Sequence, residues 1–166
     1  MIEPATPQDE EARLAKLREL GILDTPPERE FDDIVTIARA IFDTKMAHIT
    51  LVDRDRQWFK ARIGLDVEET ARGISFCAHA ILRDTALVVP DAEEDPRFHD
   101  NPAVTGGPKV RFYVGQPIRM ADGTAIGTLC VDDAAPRDEP TQTQLDALAA
   151  LARLAAEAFA SRKPGK

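Results

Sequence analysis

The residues able to do chemistry are few. The chain holds two cysteines, Cys77 and Cys130, and three histidines. Two thiols supply neither a disulfide framework nor a four-thiolate zinc site. Cys77 and His79 stand two positions apart in Phe76-Cys77-Ala78-His79-Ala80-Ile81, a spacing that turns their side chains about 200° from one another on an ideal helix. They cannot act as a pair on one helix face, so the simplest reading is a buried, inert Cys77 beside a hydrogen-bonded His79. Cys130 falls in the apolar run Gly127-Thr128-Leu129-Cys130-Val131 and reads as still more deeply buried.

Cys77, His79 and His99 with the acidic run Asp91, Glu93, Glu94 and Asp95 have no recognised metal-ligand spacing, so no metal is expected. Asp95-Pro96 instead resembles a helix cap followed by Pro. A Gly-rich phosphate loop, a Gly-x-Ser-x-Gly elbow and a His-Glu-x-x-His pair are all missing from the sequence, and no catalytic residue is assigned.

The scarce aromatics carry more information. Trp58, Phe59, Phe76, Phe98, Phe112 and Tyr113 all lie in the central part of the chain. They either line an apolar pocket, with polar contacts from His79, Asp91, Asn101 or Gln116, or fill a second core layer without a cavity.

The elements that must position these residues follow from caps and periodicity. Thr6-Pro7 and Thr25-Pro26-Pro27-Glu28 are helix starts, the second with the spacing of a capping box. Gly21 suits the end of the first helix. Phe31, Ile34, Val35, Ala38, Ile41 and Phe42 then give the second helix one apolar face. From Met46 the period becomes two, with His48, Thr50 and Val52 alternating with Ala47, Ile49 and Leu51, so residues 46–53 read as a strand and 57–63 as its hairpin partner. Ser75 caps a short helix around 74–82, 86–89 is a brief strand, and 91–107 is a long turn-rich loop of the kind that often binds ligands. Residues 111–120 and 124–132 form a second hairpin around Ala121-Asp122-Gly123, in which Pro117 must avoid a ladder bond. Thr141 and Gln144 open a last helix of about 33 Å with another capping box. Short turns between neighbouring strands make the sheet antiparallel and the fold class α+β.

On that last helix Leu145, Leu148, Ala152, Ala155 and Phe159 follow coiled-coil spacing, while Leu151, Leu154 and Ala158 widen the apolar surface. The expectation is a homodimer seam; the alternative is a helix that simply closes the core of a monomer.

Composition bounds the rest. The 166 residues, 43% hydrophobic and 30% charged, suit one globular domain, and 21 basic against 29 acidic residues give a net charge of -8, which repels nucleic acid and anionic lipid. Neither a membrane-spanning run nor a secretory start is visible, so a cytoplasmic location is expected.

Taken together, the segments Leu20-Gly21-Ile22-Leu23-Asp24-Thr25-Pro26-Pro27-Glu28, Ile49-Thr50-Leu51-Val52-Asp53, Gln57-Trp58-Phe59-Lys60, Phe76-Cys77-Ala78-His79-Ala80-Ile81, Val89-Pro90-Asp91-Ala92, Asp95-Pro96-Arg97-Phe98, Phe112-Tyr113 and Gly127-Thr128-Leu129-Cys130-Val131-Asp132 resemble the GAF domain, a sensory module of bacterial sensor kinases, diguanylate cyclases and phosphodiesterases. The resemblance covers essentially the whole chain. It implies a central antiparallel sheet with the N- and C-terminal helices on one face and a ligand pocket on the other, under the short helix and long loop. It implies residues 1–24 as an N-terminal helix and linker, 25–162 as the GAF domain and 163–166 as a tail.

The expected function is non-catalytic sensing of a small molecule, signalled as a homodimer to a downstream kinase or cyclase output domain. The chain is either free-standing or an excised sensor module. The ligand-contacting set expected is Trp58, Phe76, Cys77, His79, Asp91, Phe98, Asn101, Phe112 and Gln116. No cofactor is named. The Asn-Lys-x-Phe-Asp-Glu pattern of cyclic-nucleotide-binding members is missing, and residues 91–110 hold no Cys where bilin-binding members attach pigment. The alternatives are a thiol-dependent reductase using Cys77, although Cys77 and Cys130 do not reproduce the cysteine pattern of free methionine sulfoxide reductases, and a ligand-free interaction module.

Overall fold

The computed structural model describes residues 1–162. A six-stranded antiparallel sheet is the frame, built from β1 (Met46–Val52), β2 (Arg56–Ile63), β3 (Glu69–Ala71), β4 (Leu87–Val89), β5 (Phe112–Arg119) and β6 (Ala125–Asp133) in the order β3-β2-β1-β6-β5-β4. Helices α1 (Glu10–Glu19), α2 (Arg29–Phe42) and α5 (Gln142–Ser161) accompany it, with the short α3 (Phe76–Ala80) and α4 (Pro102–Thr105). The class is α+β, as the order of segments implies. The edge strand β3 is not foreshadowed, because three residues with one partner strand leave no periodicity to read.

Strand alternation assigns the two faces. Ala47, Ile49 and Leu51 of β1, Phe112, Val114 and Ile118 of β5, and Leu129 and Val131 of β6 share one core with Phe31, Ile34, Val35 and Ala38 of α2 and Leu148, Leu151, Ala152, Ala155 and Phe159 of α5. Phe31 and Phe159 stack there at 4.4 Å. Leu17 and Ile22 enter the same core, so residues from the first 24 pack into it. The seam residues are therefore corrected: Leu148, Ala152, Ala155 and Phe159 are buried on the protein's own sheet, with Leu145 packed beside them. The apolar stripe faces the nearest large apolar surface, which is intramolecular.

The third capping box forms as expected, with Thr141 Oγ1 accepting from Gln144 N–H. The second does not. Lys60, whose side chain has no exposed surface, donates to Thr25 Oγ1, the Pro26 carbonyl and Glu28 Oε2, and Arg162 also donates to Glu28. A buried ammonium needs these acceptors more than the helix end needs its cap. Helix α1 begins at Glu10 rather than near Thr6, and Asp9 precedes it without a side-chain cap bond. Pro117 is accommodated opposite Thr128, beyond the end of β4 pairing at Gly115.

A cavity behind the sheet with a buried thiol pair

The opposite face of the sheet carries the other half of each strand's alternation. Met46, Val52, Tyr113 and Cys130 form a second core with Phe76, Cys77 and Ile81 around α3, and with Phe98 and Val104 from the long loop. Ser75 starts α3 by accepting from Ala78 N–H, and Asn101 starts α4 by accepting from Ala103 N–H while donating to the Ile74 carbonyl. Asn101 thus ties the loop to the segment before α3.

Between this layer and the sheet lies a cavity of about 400 Å³, at the small end of ligand pockets, which span about 300–1,000 Å³. Phe59, Leu65, Ile74, Phe76, Ala103, Val110 and Tyr113 supply apolar wall; His48, Gln57, Thr70, Cys77 and Asp132 supply polar groups. Exposed Asp66, Val67, Gly107 and Pro108 also line it, and so mark its mouth. Gln57 fastens the roof to the sheet, donating to Thr70 Oγ1 at 2.6 Å and accepting from Ser75 Oγ at 2.6 Å.

Buried polar groups concentrate on one wall. Cys77 Sγ and Cys130 Sγ are 3.2 Å apart, and both thiols are free and buried. The Tyr113 hydroxyl lies 3.2 Å from each sulfur and donates to Cys77. Thr128 Oγ1 sits 2.7 Å from Cys130. That hydroxyl of Tyr113 occupies the space where a Cβ on Gly115 would stand, so the glycine makes room for the phenol. His48, opposite Cys130 in the β1–β6 ladder, has Nε2 2.8 Å from Asp132 Oδ1 and Nδ1 2.7 Å from Thr50 Oγ1.

The charges of this cluster are coupled. Burial opposes ionisation of Cys77, but bonds from Cys130, Thr128 and Tyr113 and the charge of His48 outweigh it, lowering its pKa to about 6. Burial and the neighbouring Cys77 push the Cys130 thiol well up, so the pair sheds one proton readily and holds the second. Burial also opposes a charged His48, yet Asp132 more than offsets this and raises its pKa. Burial and the two sulfurs raise Tyr113 well above the usual phenol value, keeping it a donor.

Of the nine residues expected to contact ligand, Phe76 and Cys77 line the cavity. His79, Asp91, Phe98 and Asn101 stand behind it. His79 Nε2 is 3.1 Å from the Ile2 carbonyl and meets Phe98 edge-on; Phe98 stacks on Phe76 at 4.1 Å; Asp91 caps the turn 92–94 and pairs with Arg111 at 2.7 Å. Trp58, Phe112 and Gln116 are corrected to the opposite side of the sheet. Trp58 and Phe112 belong to the helix-side core and Gln116 lies against Ala149 and Ala152 of α5. A period of two gives the reason, since their chain neighbours Phe59 and Tyr113 are the ones that face the cavity. The same alternation in β1 points to His48, which sequence reasoning left unassigned along with Gln57 and Asp132; Tyr113 stands among the candidate pocket aromatics but outside the ligand-contacting set.

The sheet is antiparallel, with the terminal helices on one side and a roofed cavity on the other. Residues 26–159 match the GAF domain family, and the chain belongs to it. It is 44% identical over 154 residues to the cyclic di-GMP phosphodiesterase PA2567 of Pseudomonas aeruginosa, covering 93% of this chain and 26% of that protein. The chain thus spans about a quarter of that relative's length.

Among solved structures it resembles the GAF domain of a phosphoenolpyruvate-protein phosphotransferase from Coxiella burnetii, with TM-score 0.66, 16% identity, and 89% of this chain and 92% of that one covered. It also resembles the free methionine-R-sulfoxide reductase of Neisseria meningitidis, solved with its substrate, with TM-score 0.63, 17% identity, and coverage of 96% and 95%. At these identities the likeness is one of fold. No helix among the described residues is long and apolar enough to cross a membrane.

Proposed function

We propose that this GAF domain is a non-catalytic regulatory module that senses a small neutral or cationic molecule. The observation carrying this reading is the cavity behind the sheet, roofed by α3, α4 and the loops around residues 65 and 107. Its lining includes Asp66, Asp132 paired with His48, and no Arg or Lys, an arrangement that offers little to a phosphate-bearing ligand and accepts hydrogen-bond donors.

The roof connects physically to the N-terminal helix. Arg72, just before α3, donates to Glu10 of α1 and to the Asp53 carbonyl, and Glu10 also holds Arg13, which is buried and reaches the Val52 carbonyl. A ligand that orders the roof would bias the position of α1 through this strut, by preferring one of two arrangements. The signal would then reach an output domain of the kind carried by longer relatives, in a cytoplasmic homodimer. With the expected seam spent on the core, the dimer surface proposed is the outer side of α2 and α5, where Ile37 is 49% and Leu154 52% exposed.

Native mass spectrometry of the freshly purified chain tests the reading. The expected result is a small-molecule adduct that disappears in Ala103→Trp, which fills the cavity, while the circular dichroism spectrum is retained. A bare wild-type mass, with no Tm shift across a panel of neutral and cationic small molecules, overturns it.

A further inference from the structure

The thiol pair has no part in ligand sensing as proposed above, yet its geometry is that of a reactive site. Two free sulfurs 3.2 Å apart are within about 1.2 Å of disulfide bonding distance. Cys77 lines a cavity whose mouth reaches solvent. His48 contributes a ring nitrogen within 4.8 Å of both sulfurs. A metal would fit these three groups less well: two thiolates on tetrahedral zinc, each at about 2.3 Å, stand about 3.8 Å apart. Both His48 nitrogens are also already engaged, by Thr50 and Asp132.

We propose that Cys77 and Cys130 form an oxidisable dithiol site, in which a small hydroperoxide entering the cavity is reduced by Cys77 and the disulfide is closed by Cys130. Cys77 thiolate attacks one peroxide oxygen; the S–O bond forms as the O–O bond breaks, two electrons pass from sulfur to peroxide, and the leaving oxygen takes the proton of the His48 imidazolium to depart as alcohol or water. Cys130 then attacks the Cys77 sulfenic sulfur. The S–S bond forms, the S–O bond breaks, and the Cys130 proton leaves with the hydroxyl as water. Overall, two thiols and one hydroperoxide give one disulfide, one alcohol or water, and one further water.

The division of labour follows from position. Cys77 is the sulfur on the cavity wall, while Cys130 lies behind it and does not line the cavity. The groups that face Cys77 are Cys130 from β6, Tyr113 from β5 and His48 from β1, with Asp132 behind His48. Tyr113 and His48 favour the thiolate, which is the reacting form. Because the step needs Cys77 as thiolate, which these groups favour, and His48 as imidazolium, which Asp132 favours, the oxidation rate should pass through a maximum with pH, falling in acid as Cys77 gains its proton and in alkali as His48 loses its own.

The test treats the reduced full chain with hydrogen peroxide and reads intact mass, free thiols after unfolding, and peptide maps. Expected are the loss of two hydrogens' mass, the loss of both thiols, a Cys77–Cys130 cross-linked peptide, and recovery on reduction. In Cys130→Ala a dimedone-trapped sulfenic acid should appear at Cys77, and in Cys77→Ala oxidation of Cys130 should be at least tenfold slower. The wild-type measurement stands without the variants should either fail to fold. Thiols that stay reduced in excess peroxide, disulfides only between chains, or protection removed by a metal chelator each overturn the proposal.

Discussion

The two faces of the sheet are built from the same strands and have opposite characters. On the helix side, α2 and α5 pack long aliphatic and aromatic side chains against alternate residues of β1, β5 and β6. Its buried cations Lys60 and Arg162 both pair with Glu28. On the other side, short helices and loops span a cavity; Phe59 and Tyr113 of the strands give it apolar wall, and His48 and Asp132 line it with Thr50, Thr128 and Cys130 hydrogen-bonded beside or behind them. Long helices supply enough apolar area to close a core completely, whereas short ones leave room that polar side chains must line and satisfy. One face is therefore a closed core, and the other combines a smaller core with a cavity and the ionisable cluster.

This contrast can be broken experimentally, beginning where the effect should be largest. Phe159→Ala, which removes a ring stacked on Phe31, should cost about 3–5 kcal/mol in urea unfolding; a loss as large from Ala103→Ser at the cavity would erase the distinction. Glu28→Ala strands the Lys60 ammonium, buried on the same helix side, and should cost about 3 kcal/mol, with Lys60→Met in the same background restoring part of it. On the cavity side, Gly115→Ala puts a Cβ where the Tyr113 hydroxyl lies and should cost about 1–3 kcal/mol, with the phenol displaced from both sulfurs in a crystal structure.

Acid sharpens the comparison in another way. Burial would raise the Glu10 carboxyl, but Arg13 and Arg72 outweigh it and lower its pKa to about 2. Its contribution is therefore present above the unfolded value near 4.5 and is lost as pH falls towards 2. Glu10→Gln should flatten that acid limb of the stability curve and leave the neutral limb in shape. The smallest effect belongs to Leu154→Glu, exposed on α5. It should change stability by no more than about 0.5 kcal/mol, while sedimentation shifts the proposed dimer to monomer.

Much of the scaffold was legible locally. Thr141 and Gln144 form their box, Ser75 caps α3, and the alternation of β1 matches its two faces. These signals act over a few residues, so they survive where no tertiary partner competes, as Lys60 does for Thr25 and Glu28. The cavity residues were harder because strand parity has to be counted from a known register. Trp58 was misplaced by one position relative to Phe59, and Phe112 by one relative to Tyr113. In β2 the pairing also shifts between Ala61 and Phe59, leaving Lys60 as the extra residue. A bulge of this kind carries no signature in an isolated strand.

Sequence alone determined the order of the main elements, the caps at Ser75 and Thr141, the α+β class and the presence of two separated thiols in apolar surroundings. Tertiary structure decided that β6 returns beside β1, which sets His48 opposite Cys130, and that α3 folds over the sheet to lay Cys77 against both. Caps and periodicities are read from neighbours along the chain, but the meeting of residues 48, 77 and 130 depends on pairing across long loops, and only the packed whole selects which pairing buries the most surface with every polar group satisfied.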